Sequence, residues 1–213
     1  MRFRPNERVL RPALDRGGRV YLFAALNNGA EMWREPLYRP LVDRLLAGGS
    51  EVVLMDSPPT KPRFFDDKGE HYCRALVAWI DSTDRRLDAQ RPARHKTLVG
   101  ISFGGFQAMM GAARLPWAKT FVAMSPVTHL YALDEYWFVS NAKCNPFTET
   151  AKLHTKAGLV TYGTAEARVN SDYLAAIADQ AAARKIVYPN RQHVTVGDEY
   201  APAVAWIGQS FGI

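Results

Sequence analysis

Cysteine is scarce in this chain: Cys73 and Cys144 are the only two among 213 residues. Two thiols so far apart cannot make a disulfide framework, and no His, Cys or Asp cluster has metal-ligand spacing. Reduced thiols, no metal and a cytoplasmic location are therefore expected. Long apolar runs are missing as well. Nothing approaches the ~18 consecutive apolar residues of a membrane-spanning helix, so no stable membrane anchoring is expected. The opening MRFRPNERVLRP carries charge with no apolar stretch behind it, unlike a secretory leader. No G-x-G-x-x-G follows an apolar run and no Lys-Ser/Thr pair follows a glycine loop, so no nucleotide cofactor is indicated. Repeats and low-complexity tracts are absent.

What remains is ordinary globular material, 47% apolar and 23% charged, long enough for one domain with a full core. Charge is uneven. Residues 1–96 hold 18 basic and 13 acidic side chains, whereas residues 97–213 hold 9 and 8. Arg2, Arg4, Arg8, Arg11, Arg16 and Arg19 crowd the start, which reads as a basic arm over 1–17 ahead of a single domain over 18–213. A basic arm can meet polyanions. This one lacks interleaved aromatics and any nucleic-acid-binding signature, so a solvated arm and no nucleic-acid partner are expected. Oligomeric state is not legible.

Apolar runs at residues 20–26, 52–55, 97–99, 120–124, 159–162 and 186–188 alternate with helix-period segments. Leu37, Leu41 and Leu45 mark the first helix. Tyr72, Leu76, Trp79, Ile80 and Leu87 line a second, and Phe106, Met109, Met110 and Ala113 a third. Tyr173, Leu174, Ile177 and Ala181 mark a fourth, and Tyr200, Val204, Ile207 and Phe211 a fifth. Strands that are apolar throughout and alternate with helices predict a mostly parallel sheet of about six strands in a three-layer α/β/α sandwich. Ligands then meet the carboxyl ends of the strands, so functional side chains should follow the apolar runs. Residues 127–156 break the rhythm. They are long for a connection and carry Tyr131, Tyr136, Trp137, Phe138 and Phe147, the composition of a short lid or of a simple cover for the sheet.

After Thr97-Leu98-Val99 comes Gly100-Ile101-Ser102-Phe103-Gly104, then the helical segment from Phe106. A strand, G-x-S-x-G and a helix make a nucleophile elbow, in which a strained turn lifts the serine hydroxyl above the sheet and glycines at minus two and plus two avoid collisions. The chain resembles the α/β-hydrolase-fold serine hydrolases, as a compact esterase- or lipase-like member. Cys73, on a helix beside His71, lacks that context.

The resemblance implies an acid and a histidine downstream of Ser102, in that order. His193 follows the last apolar run and is the expected base; His129 and His154 border the lid segment, and His71 and His95 read as structural. Glu166, three residues after Gly163 at the end of an apolar run, matches the spacing of the orienting acid, with Asp172 and the pair Asp134/Glu135 as alternatives. Asn170-Ser171-Asp172 also reads as a helix cap. The oxyanion donors are expected to be the Phe103 amide and an amide of the loop Leu26-Asn27-Asn28-Gly29, Asn28 rather than Gly29. Asp56, at another strand end, should lie near the rim of the site. Together these imply cleavage of a small-molecule carboxylic ester through an acyl-enzyme on Ser102. Thioesterase, peptidase or acyltransferase chemistry on the same residues, or a silent ligand-binding hydrolase fold, are the alternatives.

Overall fold

A computed structural model describes residues 6–25, 29–56, 69–127, 143–166, 169–193 and 197–212. Seven strands form one sheet: β1 (Glu7–Leu10), β2 (Gly18–Phe23), β3 (Ser50–Met55), β4 (His95–Ile101), β5 (Thr120–Met124), β6 (Ala157–Gly163) and β7 (Arg184–Tyr188). Their order is β1-β3-β2-β4-β5-β6-β7. Only β1 runs antiparallel to its neighbour β3; the other pairings are parallel. The helices are α1 (Arg39–Ala47), α2 (Glu70–Gln90), α3 (Phe103–Arg114), α4 (Thr150–Leu153), α5 (Ser171–Gln180) and α6 (Tyr200–Phe211), with a 3₁₀ turn at Gly29–Arg34.

The middles of the central strands are apolar because helices cover both faces, while polar residues such as Arg19 and Glu51 sit where the strands begin. Tyr21, Phe23, Val53 and Leu98 point into the core shared with α2, α3 and α5. Their sequence neighbours Val20, Leu22, Val52 and Val99 point into the core shared with α1 and α6. This period-two alternation gives each strand a stake in two cores, and each such side chain contributes roughly 1.5–3 kcal/mol when fully buried. α3, the helix after the elbow, is buried from Phe103 to Ala113 and sits deepest.

Residues 7–10, expected within a solvated arm, form the seventh strand. They escape a hydrophobicity reading because this edge strand, Glu7-Arg8-Val9-Leu10, is only half buried and two of its four residues are charged. Arg19 is likewise held within the fold. It is 1% exposed, and its guanidinium donates to Glu51 (2.6 Å), Asp88 (2.7 Å) and the Arg91 carbonyl (2.6 Å). That buried cluster lies where β2 begins, at the opposite end of the sheet from the elbow.

The cysteines also require a correction. Cys73 on α2 and Cys144 are fully buried and joined in a disulfide, not reduced as expected. Separation along the chain says nothing of separation in space, and folding lays residues 143–153 against α2 and α3. Arg114 reinforces that junction by donating to Glu70 (2.8 Å) and Glu149 (2.9 Å). Of the expected lid segment, residues 128–142 lie outside the described residues. No helix among the described residues is long and apolar enough to cross a membrane.

Candidate active site

The sharpest backbone feature is at the end of β4. Ser102 has φ 55° and ψ −116°, a conformation that L-residues with a side chain rarely adopt. Its N–H donates to the Met124 carbonyl (2.9 Å), and its carbonyl accepts from the Phe106 and Val127 N–H groups (both 3.2 Å). Neighbouring β5 and the first turn of α3 thus hold the strained residue in place. Glycines flank it for a steric reason. A Cβ on Gly100 would lie 2.0 Å from the Gly104 carbonyl oxygen, and one on Gly104 would lie 2.2 Å from that of Phe23.

The loops after β6 and β7 bring two more side chains to this point. Ser102 Oγ is 2.7 Å from His193 Nε2, and His193 Nδ1 is 2.8 Å from Glu166 Oε2. The carboxylate accepts from Nδ1–H, which leaves Nε2 free to accept from the serine hydroxyl. The two loops are laced together. Thr164 N–H donates to the Tyr188 carbonyl (3.1 Å), Ala165 N–H to that of Arg191 (2.9 Å), and Asn190 N–H to Thr164 Oγ1 (2.8 Å). Glu166 is fully buried at its side chain and His193 is 11% exposed, so the relay sits at the edge of solvent.

No family model matches the chain, and no curated protein matches it in sequence. Solved structures do match. Esterase PE8 superposes with a TM-score of 0.70 at 15% identity, over 97% of this chain and 99% of its own. Est1E from Butyrivibrio proteoclasticus, with ferulic acid bound, gives 0.68 at 14% identity over 96% and 93%. Acyl-protein thioesterase 2 from Zea mays gives 0.67 at 16% over 97% and 99%. The chain has the α/β-hydrolase fold.

In this hydrolase fold some of the remaining sequence candidates have a described place and others lie outside the described residues. Asp172 is exposed in the first turn of α5, where its N–H donates to Asn170 Oδ1 (2.8 Å), whereas the partner of His193 Nδ1 is Glu166. Asp134, Glu135, His129 and Asn28 lie outside the described residues. Phe103 is the first residue of α3, where a helix leaves its N–H groups without partners inside it. His95 stacks on Phe211, and His154 ends α4. Among the described residues no group of His, Cys, Asp and Glu could hold a metal ion.

Two further residues near His193, Arg191 and Glu199, are marked by no local sequence pattern. Arg191, two positions before His193, lays its guanidinium 3.9 Å from the Tyr188 ring centre, pairs with Asp198, and comes within 3.6 Å of Glu199 Oε1. Glu199 is 0% exposed, beside the buried Thr161. Burial pushes its carboxyl up to about 7, against the opposing pull of Arg191. An acid at the entrance to the last helix reads in sequence as a favourable dipole charge; only its depth distinguishes it.

A carboxyl whose folded-state pKa is raised binds its proton more tightly when folded. Its stabilising effect is complete below the unfolded value near 4.5 and is lost as pH rises through about 7. Glu199→Gln removes this dependence. Between about pH 4 and about pH 8 the wild type should lose about 3 kcal/mol relative to the variant. Urea unfolding of both proteins at the two pH values checks it, and stability curves that stay parallel would refute it.

Proposed function

We propose that the protein hydrolyses carboxylic esters of small molecules through an acyl-enzyme on Ser102. The observation that carries this reading is the unbroken line from Glu166 through His193 to Ser102, with hydrogen bonds of 2.8 and 2.7 Å. A serine hydroxyl is a weak nucleophile until a base takes its proton, and the base needs a third group to fix its tautomer. In this reading His193 Nε2 takes the proton as Ser102 Oγ attacks the acyl carbon. The imidazolium that forms is stabilised by the buried Glu166 carboxylate. It then returns the proton to the leaving alcohol, and a water molecule repeats the sequence on the acyl-enzyme. The amide N–H groups of Phe103 and Asn28 are the proposed donors to the oxyanion. Each such donor is worth about 10²–10³ in rate when it is removed.

Phe147 meets Tyr173 edge to face at 5.8 Å, an aromatic pair of the kind that suits an apolar acyl or leaving group. One of the matched proteins is called an esterase and another an acyl-protein thioesterase, in keeping with acyl transfer to water. The cytoplasmic location drawn from the thiol count loses its ground with the Cys73–Cys144 disulfide, since such bonds persist in oxidising compartments.

A fluorophosphonate probe tests the reading directly. It should label the wild type at Ser102 and spare Ser102→Ala. Labelling at another residue, or turnover that survives the substitution, would overturn it. A panel of esters, thioesters and peptides with varied acyl length then assigns the substrate class.

A further inference from the structure

His193 is carried by a stretch of chain that Arg191 fastens in two directions. Through its backbone, Arg191 faces the loop of the acid: its carbonyl accepts from the N–H of Ala165 at 2.9 Å, one residue before Glu166. The end of β6 presses directly on the same peptide, because a Cβ on Gly163 would lie 2.1 Å from the Arg191 carbonyl oxygen. Through its side chain, Arg191 faces the other way. Nη2 donates to Asp198 Oδ2, Nη1 stands 3.6 Å from Glu199 Oε1, and the guanidinium carbon lies 3.9 Å from the Tyr188 ring centre. Asp198 and Glu199 directly precede α6. The pair of Arg191 with Asp198 therefore ties together points 7 residues apart, with His193 between them.

Stability does not account for this arrangement. The Asp198 side chain is 50% exposed, and ion pairs that open to water contribute little. Glu199 is fully buried, yet neither of its carboxylate oxygens nor Arg191 Nη1 completes a hydrogen bond among the described residues. Polar groups enclosed without partners destabilise a fold. What the contacts supply is restraint. A loop tied at both ends samples fewer orientations. The 2.7 Å contact between His193 Nε2 and Ser102 Oγ tolerates little drift, since a displacement of about 1 Å can cost about 10²-fold in rate.

We propose that Arg191 is a positioning residue that buckles the His193 loop to the Glu166 loop on one side and to the start of α6 on the other, keeping the imidazole in line between carboxylate and serine. The proposal rests on the ester-hydrolase reading and deepens it. Arg191 acts through His193, so its loss falls on proton transfer more than on substrate binding.

Steady-state kinetics on a short p-nitrophenyl ester, read beside the proton NMR signal of His193 Nδ1–H, tests the buckle. Arg191→Met keeps an unbranched side chain and removes the charge and the fork of donors. It should lower kcat by about 10–100-fold with KM within about twofold. Its rate of fluorophosphonate labelling should fall in step, and the downfield Nδ1–H signal should broaden or move upfield. Asp198→Ala, a change at a half-exposed position that leaves the core intact, should lower kcat by about 3–10-fold in the same manner, and it carries the test if Arg191→Met does not fold. An Arg191→Met enzyme with a lower melting temperature but unchanged kcat overturns the buckle. So does a loss confined to KM, an unaltered Nδ1–H signal, or wild-type kinetics in Asp198→Ala. A wild type that neither labels with fluorophosphonate nor turns over ester overturns the hydrolase reading and the buckle together. Normal labelling and turnover by the wild type, with a kinetically silent Arg191→Met, overturns the buckle alone.

Discussion

His193→Ala lowers turnover of a short p-nitrophenyl ester by about 10⁴-fold or more, with little change in KM. The size follows from the geometry. His193 Nε2 lies within hydrogen-bond distance of Ser102 Oγ, and an alcohol reacts slowly without a base to take its proton. The residual rate reflects whatever the oxyanion donors and binding supply without proton transfer. Glu166→Gln should lose about 10²–10⁴-fold, because an amide at the 2.8 Å contact with Nδ1 no longer enforces one tautomer or stabilises the imidazolium. Ser102→Ala combined with His193→Ala should be scarcely worse than either alone, since the pair acts as a unit. Activity of His193→Ala within tenfold of wild type would place the base elsewhere.

Loss of the disulfide should be the largest single effect on stability. Cys73 and Cys144 close a loop with a sequence separation of 71, for which chain-entropy arguments give about 4 kcal/mol. In a protein of this size that corresponds to a fall in melting temperature of roughly 10 °C. The Cys73→Ser/Cys144→Ser double variant is the cleaner measurement, because it leaves no thiol to mispair. Calorimetry of variant and wild type, with thiol titration of the unfolded wild type, decides the matter. Two titratable thiols in protein unfolded without reductant, or melting temperatures within about 2 °C, would refute it. The relay of Glu166, His193 and Ser102 lies on other loops, so catalysis by the folded fraction should survive.

The reach of sequence reasoning follows burial and local spacing. β3 through β6 announce themselves because a strand covered on both faces has an unbroken apolar stretch, and the elbow does so because its glycines are dictated within five residues. Glu166 and His193 are legible for a related reason: each directly follows a strand, so the strand run gives their address. β1 is not, since only half its surface is buried and two of its four residues are charged. The pairing of Cys73 with Cys144, the enclosure of Arg19 by Glu51 and Asp88, and the depth of Glu199 are equally silent. Each depends on segments distant in the chain, and no local pattern encodes which of them meet. The hydrogen bonds from Arg8 to the Ala30 carbonyl and from the Ala30 N–H to Asp56 belong to the same class, joining residues 22 and 26 positions apart.

The backbone of Ser102 carries one more consequence. At φ 55° and ψ −116° this position suits glycine better than serine, and such conformations typically cost of order 1–3 kcal/mol. Thermal persistence and reactivity therefore pull against each other at a single residue. Selection for robustness alone would drift toward losing the hydroxyl, and retaining it commits the rest of the core to carrying the burden.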